Sequence, residues 1–137
     1  MVNFGHAASW AVGLGTLAAA IAGTVVPART PAEELRHVAG FLLVFAPAVY
    51  LLIDRRRRRW EAKHPYLRFV VFVLTMLVAT VTLVQVVVLA LGAVGALART
   101  VAFLAAAAGF GAAAWMTFLG GAERLWQVFL ARTDTEW

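Results

Sequence analysis

Four long apolar stretches, separated by short polar connections, make up most of the chain. They cover about residues 7–26, 35–53, 67–91 and 100–119. A helix needs about 20 apolar residues to cross the hydrocarbon core of a bilayer, and each stretch is close to that length. The pattern therefore predicts an all-α integral membrane protein. We expect four transmembrane helices in an antiparallel, up-and-down bundle over residues 1–121.

The second stretch carries a clear signal for the start of a helix. Thr30, Pro31 and Glu33 have the spacing of a capping box with proline at the first helical position, so the helix should begin near Pro31. Its uninterrupted apolar part, residues 38–53, is short for a span. The span must therefore include Leu35 and Arg36, whose charged end can reach the headgroups.

The first and third stretches each allow an alternative to a membrane-spanning helix, and in both the length of the stretch favours the helix. The first could be a cleaved signal peptide, but residues 1–6 contain no Lys or Arg, and the apolar run is longer than a typical signal sequence. The third is rich in Val and Phe, as strands are, but its length fits a tilted helix and not a membrane strand of about 10 residues. Both are therefore predicted to be retained helical spans.

Residues 122–137 form a separate, amphipathic tail. At 100° per residue one arc of the tail is apolar, and the opposite arc carries Glu123, Arg124 and Gln127. The pattern suits a short C-terminal helix lying in the membrane interface, and a simple continuation of the fourth span is the alternative. The apolar arc consists of Leu125, Trp126, Val128, Phe129 and Leu130.

The positive charge of the chain is concentrated between the second and third spans. Residues 54–68 contain seven basic and two acidic residues, and their sum equals the net charge of +5 of the whole protein. Because Lys and Arg accumulate on cytoplasmic loops, residues 54–66 are predicted to be a cytoplasmic polybasic loop. With four spans, both termini lie on the same side. One lysine against eleven arginines indicates a high-GC prokaryotic genome and hence a prokaryotic plasma membrane.

The tryptophans and tyrosines all fall on this same side, so it is the side equipped to bind something. Anionic lipid headgroups are one ligand, since basic clusters next to a span attract them. A cytoplasmic partner is the other. Nucleic acid is not expected, because the arginine run is a short connection between spans and not a folded basic surface. The predicted contact residues are Arg55, Arg56, Arg57, Arg58, Arg59, Trp60, Lys63, Tyr66, Arg68 and Trp126.

Small residues recur at helical spacing in the first and fourth spans. Such stripes let helix backbones approach closely in a membrane, where van der Waals contact replaces the hydrophobic effect. The sequence does not decide whether the stripes pack within one chain or between copies. The predicted packing residues are Ala11, Gly15, Ala19 and Gly23 in the first span, and Ala105, Gly109 and Ala112 in the fourth.

The predicted spans contain few side chains that could carry out a reaction or transfer protons. Residues 38–53, 69–91 and 101–119 contain no Asp, Glu, Lys, Arg or His, which argues against a proton-coupled transporter. Thr75, Thr82 and Gln85 could line a narrow polar path, although such residues more often bond to a neighbouring helix. The chain has no cysteine, no metal-ligand spacing and no catalytic triad pattern. We therefore predict no cofactor, no metal and no enzymatic activity.

Three classes of function remain. The first is a small accessory subunit, without catalysis, that scaffolds or regulates a larger membrane complex, with other membrane subunits or further copies of itself as partners. The second is a self-assembled channel or transporter. The third is a respiratory subunit that binds quinone or haem b. Binding of haem b would require His6 and His64 to meet near the membrane surface.

Overall fold

The computed structural model describes residues 4–62, 64–92 and 95–136, and these residues form six helices. Four of the helices are long and apolar enough to cross a membrane: α1, α2, α4 and α5. The predicted fold class, an all-α protein with four candidate spans, is confirmed. The helices are α1 (Phe4–Val25), α2 (Pro31–Arg55), α3 (Arg57–Ala62), α4 (Pro65–Leu91), α5 (Ala96–Phe118) and α6 (Gly121–Glu136).

The helix ends follow from local sequence. Thr30 caps α2, with its Oγ1 accepting a hydrogen bond from the Glu33 backbone N–H at 3.1 Å. The Glu33 side chain reaches back one residue further than in a capping box, because its Oε2 accepts from the Arg29 N–H at 3.2 Å. Gly92 ends α4 and Gly95 precedes α5. Both have positive φ angles, 86° and 114°, which glycine adopts at no steric cost.

The long helices form two hairpins. Helix α1 packs along α2, and α4 packs along α5, while the contact between α1 and α4 joins the two pairs. A smaller contact links α2 to α5. Each helix therefore has its most extensive contact with the span next to it in the chain.

Large side chains on one helix of each hairpin pack against small ones on the other. Helix α2 buries Phe41, Phe45, Val49 and Ile53, at strict four-residue spacing. In α4 the buried positions are also four residues apart, and most hold bulky side chains. Helices α1 and α5 bury mainly alanine and glycine, so the backbones come close and bulky side chains fill the remaining space. The α4 stripe consists of Arg68, Phe72, Met76, Thr80 and Val84.

Two short helices complete the fold: α3 lies in a segment predicted as a loop, and α6 agrees with one of the two alternatives predicted for the tail. Residues 57–62, predicted as part of a loop, form α3. The tail is a helix of its own, since α5 ends at Phe118 and α6 begins at Gly121 after a bend at Leu119 and Gly120. Gly120 has φ 85°, so the chain changes direction there and the tail is not a continuation of the fourth span.

Candidate functional site at the basic end of the bundle

The start of α1, the end of α2, α3, the start of α4 and the end of α5 meet at one end of the bundle. We call it the basic end, because the arginine run lies there. Two ring contacts demonstrate the convergence: the Trp60 ring lies 5.2 Å from that of Trp10 in α1 and 5.2 Å from that of Phe118 in α5. Residues far apart in the sequence therefore build this end together.

Trp60 is the centre of this arrangement. Its side chain is only 1% exposed, although it follows five arginines in the sequence. The indole stacks on Phe118 with an angle of 19° between the rings and meets Trp10 edge-on at 83°. Burial of an aromatic side chain of this size is a large stabilising contribution, so Trp60 fastens α3 to the bundle.

Arg68 covers the two tryptophans. Its guanidinium carbon lies 4.0 Å from the centre of the Trp60 ring and 4.6 Å from that of Trp10, within the distance for cation–π attraction. Its Nη1 also donates a hydrogen bond to the Trp60 carbonyl oxygen at 3.0 Å. The residue is 5% exposed, so solvent contributes little to stabilising its charge. We call Trp10, Trp60, Arg68 and Phe118 the tryptophan–arginine cluster.

The arginine run lies on backbone that is almost continuously helical. The Arg56 N–H donates to the Leu52 carbonyl and the Trp60 N–H donates to the Arg56 carbonyl, both at 2.9 Å, so α2 passes into α3 with a single turn residue between them. Arg57 forms an ion pair with Asp54 at 3.0 Å. Anchored at Trp60, the run is a shaped surface, and a shallow recess of about 320 Å³ is lined by Arg55, Arg56, Arg57 and Arg58.

The predicted contact residues divide into two groups. Arg55, Arg56, Arg58, Tyr66 and Trp126 are exposed and Arg57 is half-buried. Trp60 and Arg68 differ from the prediction, because both are buried inside the bundle and are not at its surface. The side chains of Arg59 and Lys63 lie outside the described part of the chain.

The sequence contained a signal for Arg68 that a count of charges misses. Positions 72, 76, 80 and 84 form a buried stripe along α4, and one further step of four residues toward the start of the helix reaches Arg68. Trp60 gives no comparable signal, because α3 is too short to show a periodicity. Only the tertiary contacts reveal it.

The small-residue stripes lie inside the hairpins. Ala11, Gly15, Ala19 and Gly23 are all buried. A Cβ added at Gly15 would lie 2.7 Å from the Cα of Ala46 in α2, and one added at Gly23 would lie 2.9 Å from the Cα of Val38. These glycines therefore set how closely α1 approaches α2.

The stripe on α5 faces α4. A Cβ added at Gly109 would lie 2.9 Å from the Cα of Thr80 in α4. Ala105 and Ala112 are partly buried on either side of this contact. In the structure, both stripes thus pack within the chain.

The residues considered for a polar path lie elsewhere. Thr82 and Gln85 are exposed on the outer side of α4, and Thr75 is half-buried. Among the threonines whose burial the structure describes, Thr80 and Thr117 lie in the interior. In a single chain the three candidate residues do not enclose a path, and one could form from them only between copies.

The opposite end of the bundle holds a second polar group. Arg99 in α5 donates from Nη1 to Glu33 Oε1 in α2 at 3.0 Å. His37 Nε2 lies 3.8 Å from the same oxygen, and the His37 ring meets Phe103 edge-on at 4.7 Å. These contacts join the two hairpins at the end away from the arginine run.

The histidines lie in separate places. His6 is exposed near Trp10, and His64 caps α4, its Nδ1 accepting a hydrogen bond from the Tyr66 N–H at 3.3 Å. Over the described ranges, no three residues among His, Cys, Asp and Glu are grouped as metal ligands. Haem b at His6 and His64 remains a hypothesis from the sequence.

The fold and the composition of its helices define a small polytopic membrane protein. Comparison of the chain with known protein families, with curated proteins and with solved structures finds no match.

Proposed function

We propose that the protein is an accessory membrane subunit, without catalysis of its own, that scaffolds or regulates a larger complex through its basic end. The observation that carries the proposal is the anchoring of the arginine run by Trp60, which is buried between Trp10, Arg68 and Phe118. A flexible basic loop is enough to attract an anionic leaflet. Anchored arginines add fixed geometry, which suits bidentate pairing with carboxylates or phosphates on a shaped partner.

We further propose an orientation with the basic end in the cytoplasm of a prokaryotic cell, with both termini on that side. The excess of Arg and Lys between α2 and α4 supports it, because such excess accumulates on cytoplasmic loops. The partner is then an acidic surface of another membrane subunit at the cytoplasmic side. Anionic headgroups of the inner leaflet occupy the arginines that the partner leaves uncovered.

The orientation can be tested with single cysteines, since the chain has none of its own. Ala62→Cys, in the basic segment, should react with an impermeant thiol reagent only after the membrane is opened. Ala28→Cys, in the connection between α1 and α2, should react in intact cells. The reverse pattern would contradict the proposed orientation.

The functional proposal is tested by native mass spectrometry of the protein extracted from its own membranes in mild detergent. We expect a heteromeric complex that is lost when Arg55, Arg56 and Arg58 are all replaced by Gln. Replacement of the same three residues by Lys keeps the positive charge but removes the planar guanidinium group. The complex should then be weakened and not abolished.

Three results would count against this proposal. A closed homo-oligomer without other subunits would favour the channel alternative, and a bound chromophore would favour the respiratory one. A complex unchanged by the Gln replacements would show that the arginines are not the contact surface.

A further inference from the structure

Helix α6 carries an apolar face that the rest of the chain leaves uncovered. Its five large apolar side chains are between 40% and 59% exposed. The opposite face carries Glu123, Arg124 and Gln127, so the helix is amphipathic. These apolar side chains are Leu125, Trp126, Val128, Phe129 and Leu130.

The structure shows where this face lies. After the bend at Gly120, α6 starts in contact with α5, because a Cβ added at Gly121 would lie 2.5 Å from the Trp115 ring. A mainly apolar groove of about 380 Å³ then separates α6 from α4. Its lining consists of Leu67 and Val71 of α4 and of Ala122, Glu123 and Trp126 of α6, so Glu123 lies at the edge of the groove beside Trp126. Helix α6 therefore lies beside the first two turns of α4.

The depth of this groove follows from the length of α4. At about 1.5 Å per residue, its 27 residues are about 40 Å long. A hydrocarbon core about 30 Å thick leaves roughly 5 Å of the helix outside at each end. Leu67 then lies at headgroup level, and Val71, about 9 Å from the helix start, lies just inside the hydrocarbon. Interfacial helices bury their apolar faces at this boundary.

We propose that α6 is an interfacial helix whose apolar face inserts among the lipid acyl chains of the leaflet at the basic end. Continuity of surface identifies lipid as the occupant. Trp126 of α6 lines the same groove as Leu67 and Val71 of α4, and Leu67 is exposed on this membrane-spanning helix, where its surroundings are lipid. A cover of lipid on α4 thus extends without a break onto α6.

Charge indicates how the helix is held. Residues 121–136 contain three acidic and two basic residues, a net charge of −1, so anionic lipid does not attract the helix as a whole. Insertion of α6 rests on apolar area and is independent of salt and headgroup charge. The attraction of lipid to the arginine run at the same end, by contrast, depends on both salt and headgroup charge.

The test compares two positions on opposite faces of α6, two residues and about 160° apart around the helix. Phe129→Cys and Gln127→Cys each receive a nitroxide label, in the purified full chain reconstituted in nanodiscs with no partner present. Collision rates with oxygen, which concentrates in hydrocarbon, and with a water-soluble nickel chelate are then measured. Leu74→Cys on the exposed side of α4 and Ala28→Cys in the first connection calibrate the lipid and water limits.

We expect the ratio of oxygen to nickel collisions to be several-fold higher at position 129 than at position 127, equally in neutral and anionic lipid and at low and high salt. Water-like ratios at both positions would overturn the proposal. So would protection of position 129 from both reagents, the result expected if protein covers the face. A high ratio at position 129 that appears only in anionic lipid would also overturn it. Because no partner is present, none of these results depends on the proposed scaffolding role.

Discussion

Arg68 occupies a position that uncharged side chains fill in the rest of the α4 stripe. A buried charge is costly unless it is paired or hydrogen-bonded. Here the cost is offset by two indole faces and the Trp60 carbonyl oxygen. Its location near the start of α4 also keeps it out of the middle of the bilayer, where the cost would be greatest.

We therefore expect Arg68→Gln to lower the free energy of unfolding in detergent by about 2 kcal/mol, the upper range for a desolvated cation–π contact. Arg68→Lys should recover only part of the loss, because an ammonium group lacks the planar face that stacks on indole. Arg56→Gln, at an exposed position, is the matched control and should change stability little. Equal stability of the Arg68 and Arg56 variants would contradict the role assigned to the cluster.

For individual residues, the sequence predicted which residues lie at the basic end better than whether they are buried or exposed there. The basic residues, tryptophans and tyrosines of the basic end are predicted from the sequence, but Phe118 is not, and Trp60 and Arg68 are predicted at its surface although they are buried. Charge and amphipathic character favour a surface position on average. The contacts that override this average come from Trp10 and Phe118, which are 50 and 58 residues from Trp60 in the chain.

Helices α1 and α2 depend on a close backbone approach that a single methyl group would disturb. Gly15 faces Ala46 at this contact, whereas an added Cβ at Gly13 would meet nothing within 4 Å. The two glycines are two residues apart on the same helix. They therefore form a matched pair for measuring the packing contribution.

We predict that Gly15→Leu destabilises the protein by about 3 kcal/mol, as expected for overpacking a tight contact. Gly13→Leu should leave the thermal unfolding temperature unchanged or raise it, because leucine favours a helix and has room there. Thermal unfolding in detergent, followed by circular dichroism, distinguishes the two. A similar decrease for both variants would mean that the effect comes from the helix itself and not from the contact with α2.

Elements with a strong pattern could be predicted, and elements that depend on distant contacts could not. The four spans follow from length and apolar content, and the start of α2 follows from Thr30 and Pro31. Helix α3 has no such pattern. Like charges close together on a helix repel each other, so a run of arginines disfavours the helical conformation. It forms where Trp60 is buried and where Asp54 pairs with Arg57.

At the scale of the whole molecule, each end of the bundle ties the two hairpins together differently. The basic end uses the tryptophan–arginine cluster, and the opposite end uses the Glu33–Arg99 ion pair. This pair joins α2 to α5 across 66 positions of sequence. The pair of Asp54 and Arg57, by contrast, is local and its side chains are more exposed than those of Glu33 and Arg99.

A double-mutant cycle on Glu33→Gln and Arg99→Gln should therefore give a larger coupling energy than the same cycle on Asp54→Asn and Arg57→Gln. Partial burial of the first pair is the reason, since exposed pairs are weakened by water and salt. Thermal unfolding of the single and double variants provides the measurement. A coupling that is no larger for the long-range pair would mean that it does not hold the hairpins together.

The position of Trp60 links the order of the arginine run to completion of the fold. Trp60 contacts α1 from the first hairpin and both α4 and α5 from the second. A chain with only its first hairpin inserted lacks Phe118 and Arg68, so the arginines would remain unfastened. During biogenesis the arginine run would thus become ordered last, after the second hairpin has packed against the first.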